Sequence, residues 1–214
     1  MARFVNRAIL AASITLLLAA LLSAAPAAAA TRILAFGDSL SAGFGVATSQ
    51  SFPAQLATRL KADGHDVIVD NGGVSGDTTA DGLARFDWTM AGHPDVVLLE
   101  FGANDMLRGL DPKRAEANLD RMLGKLKAAK VKVLLLGMRA SPNWGADYQK
   151  AFDAIYPTLA KKYDVPLYPF FLDGVVLDPA LNQPDMLHPN PAGVAVIVSR
   201  VAPMVERLLG KPEG

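Results

Sequence analysis

Apolar residues along this chain follow two rhythms. Short, nearly unbroken apolar runs recur at Ile33–Phe36, Val67–Val69, 95–101 (Val96-Val97-Leu98-Leu99), Val131–Met138 and Val165–Tyr168. Between them, apolar residues return every three or four positions, as one buried helix face requires. Phe52, Leu56 and Leu60 predict a helix over Phe52–Leu60. Ala115, Leu119, Met122, Leu123 and Leu126 predict one over Pro112–Lys130, and Phe152, Ile155 and Leu159 one over Tyr148–Tyr163. Val194, Ile197, Val198, Val201, Val205 and Leu208 predict a last helix starting at Pro191, with Asn190 as N-cap and proline in the first turn. Continuous rather than alternating apolar strands fit a parallel sheet covered on both faces. The alternation of such strands with helices predicts an α/β fold, a three-layer α/β/α sandwich on a mostly parallel five-stranded sheet. No internal repeat and no Pro/Gly/Ser-rich linker divides it, so residues 31–214 are expected to form a single domain.

The first thirty residues break both rhythms. Arg3 and Arg7 precede an uncharged Leu/Ala-rich run, Ala8 to Ala30, that ends in Pro26-Ala27-Ala28-Ala29-Ala30. The run is long enough to span a bilayer, but the helix-breaking Pro26 and the small-residue tail favour a cleaved secretory signal peptide, residues 1–30. Cleavage leaves about 184 residues, enough for a core without covalent staples. The chain carries 21 basic and 21 acidic residues, so losing Arg3 and Arg7 gives a net charge of about −2. With no basic stripe, nucleic acid is not an expected partner. There is no cysteine, which removes thiol nucleophiles, thiolate metal sites and an N-terminal lipid anchor. His65, His93 and His188 are the only histidines, and the first two fall in turns beside Gly64 and Pro94. No metal or organic cofactor is expected.

Four polar segments follow strands or precede helices. Gly37-Asp38-Ser39-Leu40-Ser41 ends the first strand, so Ser39 either caps a helix or is presented as a nucleophile at the sheet's carboxyl edge. Ser41 stands where a G-x-S-x-G elbow would need glycine, and no Gly-Lys-Ser/Thr ending makes the segment a P-loop. Asn71-Gly72-Gly73-Val74-Ser75-Gly76-Asp77-Thr78 follows the second strand; Gly76 can turn its N–H toward an oxyanion, whereas Asp77 or Thr78 suits a helix cap. Glu100-Phe101-Gly102-Ala103-Asn104-Asp105 follows the third, where Asn104 can donate from its side chain or close an Asx turn. In Asp185-Met186-Leu187-His188-Pro189-Asn190-Pro191, Asp185 can accept the Nδ1 proton of His188, or the two can form a surface pair. Serine, imidazole and carboxylate together are the parts of an acyl-transfer nucleophile.

Taken in order, these segments resemble the SGNH/GDSL hydrolase family over essentially the whole chain after residue 30. Ala154-Ile155-Tyr156-Pro157, Asp164-Val165-Pro166-Leu167 and Leu107-Arg108-Gly109 add to the likeness, which is closest to the bacterial periplasmic branch of esterases and thioesterases. The resemblance implies a flavodoxin-like sheet order and a serine hydrolase acting on small acyl esters or thioesters. It implies Ser39 as nucleophile, Asp185 and His188 as its partners, and Ser39, Gly76 and Asn104 as oxyanion donors. Leu107, Leu110 and Trp144 are the expected acyl-groove residues; Phe170 and Phe171 are expected in the core. Ala103 and Met106 replace glycines of the family pattern, which bears on acyl-length preference rather than on the chemistry. A non-catalytic lipid- or glycan-binding domain and a carbohydrate O-deacetylase are the alternative readings. The expected protein is an exported monomer, free of the membrane once the signal is removed.

Overall fold

The computed structural model describes residues 29–210. The expected signal peptide lies outside the described residues except for Ala29 and Ala30. Five strands, β1 (Thr31–Gly37), β2 (Val67–Asn71), β3 (Val96–Glu100), β4 (Lys132–Leu136) and β5 (Leu167–Tyr168), form one sheet in the order β2-β1-β3-β4-β5. Every adjacent pair is parallel. In β1 the consecutive residues Ile33, Leu34, Ala35 and Phe36 are all buried, as is all of β3. Since successive side chains point to opposite faces, both faces of these strands are covered. Each such large apolar side chain contributes about 1.5–3 kcal/mol relative to exposure, so the β1–β3 centre is the part of the sheet least free to move.

The helices are α1 (Ser39–Ala42), α2 (Phe52–Ala62), α3 (Thr79–Ala84), α4 (Phe86–Met90), α5 (Ala103–Leu107), α6 (Pro112–Ala128), α7 (Ala146–Asp153), α8 (Ile155–Tyr163) and α9 (Pro191–Leu209). One group packs α9 on α2; the other packs α6 on α3, α7 and α8. The single helix expected over Tyr148–Tyr163 is two. Pro157 has no N–H to give the Asp153 carbonyl one turn back, so the chain breaks at Ala154. The fifth strand is shorter than Val165–Tyr168, because Val165 donates its N–H to Ala160 at the end of α8 (3.1 Å) and Pro166 has none to donate. Helices α1, α3, α4 and α5 are each four to six residues long, too short to leave a periodic signal.

The chain builds β2 on one side of β1 and then crosses to place β3 on the other. At such a switch point the segments leaving the two strands diverge and open a crevice at the carboxyl edge. Ser39 follows β1 and Asn104 follows β3, so the crevice lies between them.

Candidate active site

The register sets Gly37, the last residue of β1, beside Glu100, the last of β3. A Cβ on Gly37 would collide with the Glu100 carboxyl and the Ser41 hydroxyl, so only glycine lets the strand end this way. Asp38 then caps α1, its Oδ1 accepting the Leu40 N–H at 3.0 Å. Ser39 is the first helical residue and points away from the core, whereas Asp38, Leu40 and Ser41 are buried. Beneath the turn, Glu100 Oε2 accepts the Ser41 hydroxyl (2.8 Å) and the Asp38 N–H (3.3 Å).

The glycine loop after β2 is stitched to β1: Gly72 N–H donates to Ala35 (2.8 Å) and Val74 N–H to Gly37 (3.1 Å). Gly76 has φ +88°, a conformation that glycine alone adopts without strain. The N–H groups of Ser39 and Gly76 have no protein acceptor among the described residues. Asn104, in the first turn of α5, sits between the two loops: its Nδ2 donates to the Asp77 carbonyl (3.0 Å) and to Asp38 Oδ2 (3.2 Å). Asp105 next to it is buried and accepts the Thr79 N–H (2.8 Å) and hydroxyl (2.7 Å), tying α5 to the start of α3. Thr78, not Asp77, caps α3, in a reciprocal box with Asp81.

Asp185 and His188 come from the loop before α9. Asp185 Oδ1 accepts the N–H groups of Leu187 (2.9 Å) and His188 (3.0 Å), while Oδ2 meets His188 Nδ1 at 2.7 Å. A carboxylate only accepts, so Nδ1 carries the proton and Nε2 is left as acceptor. Nε2 lies 3.0 Å from Ser39 Oγ. The loop needs Met186 at φ +58° and closes with Gln183 N–H on the His188 carbonyl (2.8 Å). Asn190 caps α9 through Ala192 and Gly193, which fixes where the loop ends.

Burial sets the charges. Desolvation lifts Asp38 to about 6, against the pull of the Leu40 N–H and Asn104. Glu100 is held well above the ordinary carboxylate range by burial first and the Asp38 charge second. Its Oε1 has no partner among the described residues, which a neutral carboxyl tolerates and an anion would not. Asp185 goes the other way, down to about 2, chiefly because the backbone N–H and side chain of His188 and the Leu187 N–H favour its anion.

The structure thus gathers Ser39, His188, Asp185, Gly76 and Asn104 into one place. A hydroxyl, a free ring nitrogen and a carboxylate in line can carry a proton off the hydroxyl as it attacks a carbon, and unpaired N–H donors beside them can hold a negative oxygen. Trp144 is brought against the chain leaving Asn104, the segment that carries Leu107 and Leu110. The Trp144 ring covers Gly109 and lies 6.0 Å from that of Tyr148, whose hydroxyl bonds the Leu110 carbonyl. Leu107 and Trp144 are about half exposed, and Leu110 is half-buried. Phe171 is in the core; Phe170 is half-buried under the Arg139 guanidinium. Sequence reading missed Phe44, whose ring lies 4.6 Å from that of His188, and the buried group Glu100. Phe44 follows the Ser39 motif directly, and an aromatic there was the one available signal; Glu100 carried one as an acid ending an otherwise apolar strand.

Comparison with known proteins gives the family of the chain. Residues 35–196 match the GDSL-like Lipase/Acylhydrolase family. The chain is 43% identical over 175 residues to an arylesterase of Vibrio mimicus, covering 81% of this chain and 88% of that one. It is 42% identical over 184 residues to thioesterase 1/protease 1/lysophospholipase L1 of Escherichia coli (strain K12), covering 86% and 87%. Among solved structures, AlinE4, an SGNH-hydrolase family esterase, superposes with a TM-score of 0.71 at 47% identity, covering 85% of this chain and 97% of that one.

Proposed function

Since this chain belongs to the GDSL-like lipase/acylhydrolase family and is a carboxylic ester hydrolase, we propose that it cleaves small acyl esters and thioesters by two-step acyl transfer at Ser39. The observation that carries the proposal is the unbroken line Asp185–His188–Ser39, with contacts of 2.7 and 3.0 Å, beside two N–H groups that have no acceptor among the described residues.

His188 Nε2 takes the Ser39 proton as Oγ bonds to the substrate's carbonyl carbon. The carbonyl oxygen becomes an oxyanion, held by the N–H groups of Ser39 and Gly76 and by Asn104 Nδ2. Asn104 reaches it by giving up its 3.2 Å bond to Asp38 while keeping the one to Asp77. The intermediate collapses, and the alcohol or thiol leaves with the proton from His188. Water then attacks the acyl-serine, His188 again takes and returns a proton, and the acid departs. Asp185 keeps Nδ1 protonated and steadies the imidazolium in both steps.

The half-exposed Leu107 and Trp144 beside the segment that leaves Asn104 favour an apolar acyl or aryl group over a sugar, and the relatives named arylesterase and thioesterase 1/protease 1/lysophospholipase L1 support an ester or thioester substrate. Export after removal of residues 1–30, a single catalytic domain over 31–214 and a monomeric state complete the reading. Among the described residues no helix is long and apolar enough to cross a membrane. The test is hydrolysis of p-nitrophenyl esters of graded chain length by the chain from Thr31 and by its Ser39→Ala variant. Turnover by the first and none by the second supports the proposal; equal rates overturn it.

A further inference from the structure

Arg85 lies between α3 and α4, carries no sequence motif, and touches neither Ser39 nor His188. Its guanidinium nonetheless bonds the ends of both β1 and β2 and the loop beyond β2. Nη2 donates to the Gly37 carbonyl (2.9 Å), two residues before Ser39. Nη1 donates to the Gly72 carbonyl (2.8 Å), at the root of the glycine loop. Nε meets Asp77 Oδ2 at 2.6 Å, in the residue after Gly76. The side chain is only 19% exposed and its Asp77 partner 14%, so the pair is largely shielded from solvent. The planar head lies over the Phe36 ring at 4.5 Å and near that of Phe101 at 5.7 Å, which fixes its orientation. Asp77, so held, offers its carbonyl to Asn104 Nδ2 at 3.0 Å.

We propose that Arg85 is a positioning residue for the oxyanion hole, setting the spacing of the Ser39, Gly76 and Asn104 donors through Gly37, Gly72 and Asp77. The inference rests on those three groups being the oxyanion donors. Three acceptors lie around the rim of one rigid, planar fork, a pattern that a lysine's single nitrogen cannot reproduce. Donors aimed in advance need no reorganisation when charge develops, so a loss of aim falls on the transition state and not on ground-state binding.

The experiment compares wild type, Arg85→Met, Arg85→Lys, Asn104→Ala and the Arg85→Met/Asn104→Ala double variant on p-nitrophenyl butyrate, recording kcat and KM across pH. Methionine keeps apolar contact with Phe36 and Phe101 and removes every donor. Arg85→Met should lower kcat about ten- to a hundredfold and leave KM within about threefold. The shape of the pH profile should stay that of wild type, because Arg85 bonds neither His188 nor Asp185. Arg85→Lys should recover only part of the loss. The double variant should lose less than the product of the two single losses, since both act on the same donors. A kcat near wild type in Arg85→Met, a loss confined to KM, or losses that multiply in full would overturn the proposal. If Arg85→Met does not fold, Arg85→Lys decides, and full wild-type kcat in it overturns the proposal equally. Full activity in Asn104→Ala would instead sink the oxyanion reading itself, whatever Arg85 does.

Discussion

Ser39, Gly76 and Asn104 stand on turns rooted in the sheet, whereas Asp185 and His188 stand on a loop that closes mostly on itself. The first group is held from below by partners far away in sequence: Glu100 under the Ser39 turn, Asp105 on Thr79, and Arg85 across both loops. Most of those partners are buried, and the carboxyls among them are pushed up by desolvation. The second group is held by bonds that span two to five residues, Asp185 to Leu187 and His188, and Gln183 to His188. Its carboxylate is 37% exposed and its pKa is pushed down. The groups that must keep a fixed shape around a developing charge are set into the core. The group that moves a proton sits on a short loop, aimed by its own backbone and by Phe44, to whose carbonyl Gln183 is bonded at 2.7 Å.

The sharpest way to break this contrast is to damage the loop half without touching the fold. In Asp185→Asn the amide oxygen can still accept the Leu187 and His188 N–H groups, but its NH2 faces Nδ1 and forces the wrong tautomer. We expect kcat to fall by about ten-thousandfold with the thermal midpoint within a few degrees of wild type; a loss under tenfold would mean that Asp185 does not orient His188. Next comes the sheet-rooted half. Asn104→Ala removes one oxyanion donor and should cost about a hundred- to a thousandfold in kcat, or about 3–4 kcal/mol, with KM much less affected. Steady-state kinetics on a p-nitrophenyl ester decides it.

Smaller effects separate the two halves by pH. Glu100 has a folded-state pKa above its unfolded value, so its contribution to stability is present at acid pH and is lost as pH rises through the folded value. Glu100→Gln mimics the neutral carboxyl, so activity should stay within about threefold of wild type. Melting curves should shift in favour of the variant as pH rises, and a shift the other way would mean that Glu100 is ionised in the fold. Asp185 has the opposite sign. Its folded value of about 2 lies below the ordinary 3.8, so what it adds is present above that ordinary value and is lost as pH falls toward 2. The stability advantage of wild type over Asp185→Asn should therefore shrink between about pH 4 and pH 2. This is the smallest effect, because solvent screens an exposed carboxylate.

The same division marks what could be seen in the chain beforehand. The long helices are visible because a buried face repeats every third to fourth residue, and the strands because they are short runs of nearly unbroken apolar residues, whatever lies opposite. Asp185 and His188 are visible as a pair because their contact spans three residues and Pro189 with Asn190-Pro191 fixes the exit of the loop. Ser39 is visible as a candidate because it follows an apolar run and a glycine turn, Ile33–Phe36 and Gly37. Nothing local distinguishes Arg85 from any other arginine at a helix end, or shows that Glu100 lies beneath Ser41.

By itself, then, the sequence determined the class of fold, the order of its elements and the residue types from which an acyl-transfer site could be made, because each depends on neighbours within a few positions. The tertiary structure alone decided which of those residues meet. Ser39 and His188 are 149 positions apart and come within 3.0 Å only because β1 ends and α9 begins at the same edge of the sheet. The Arg85 fork and the buried Asp38–Glu100 pair were settled there too. Their energies come from desolvation and from directional bonds between distant segments, and those exist only once the core has closed.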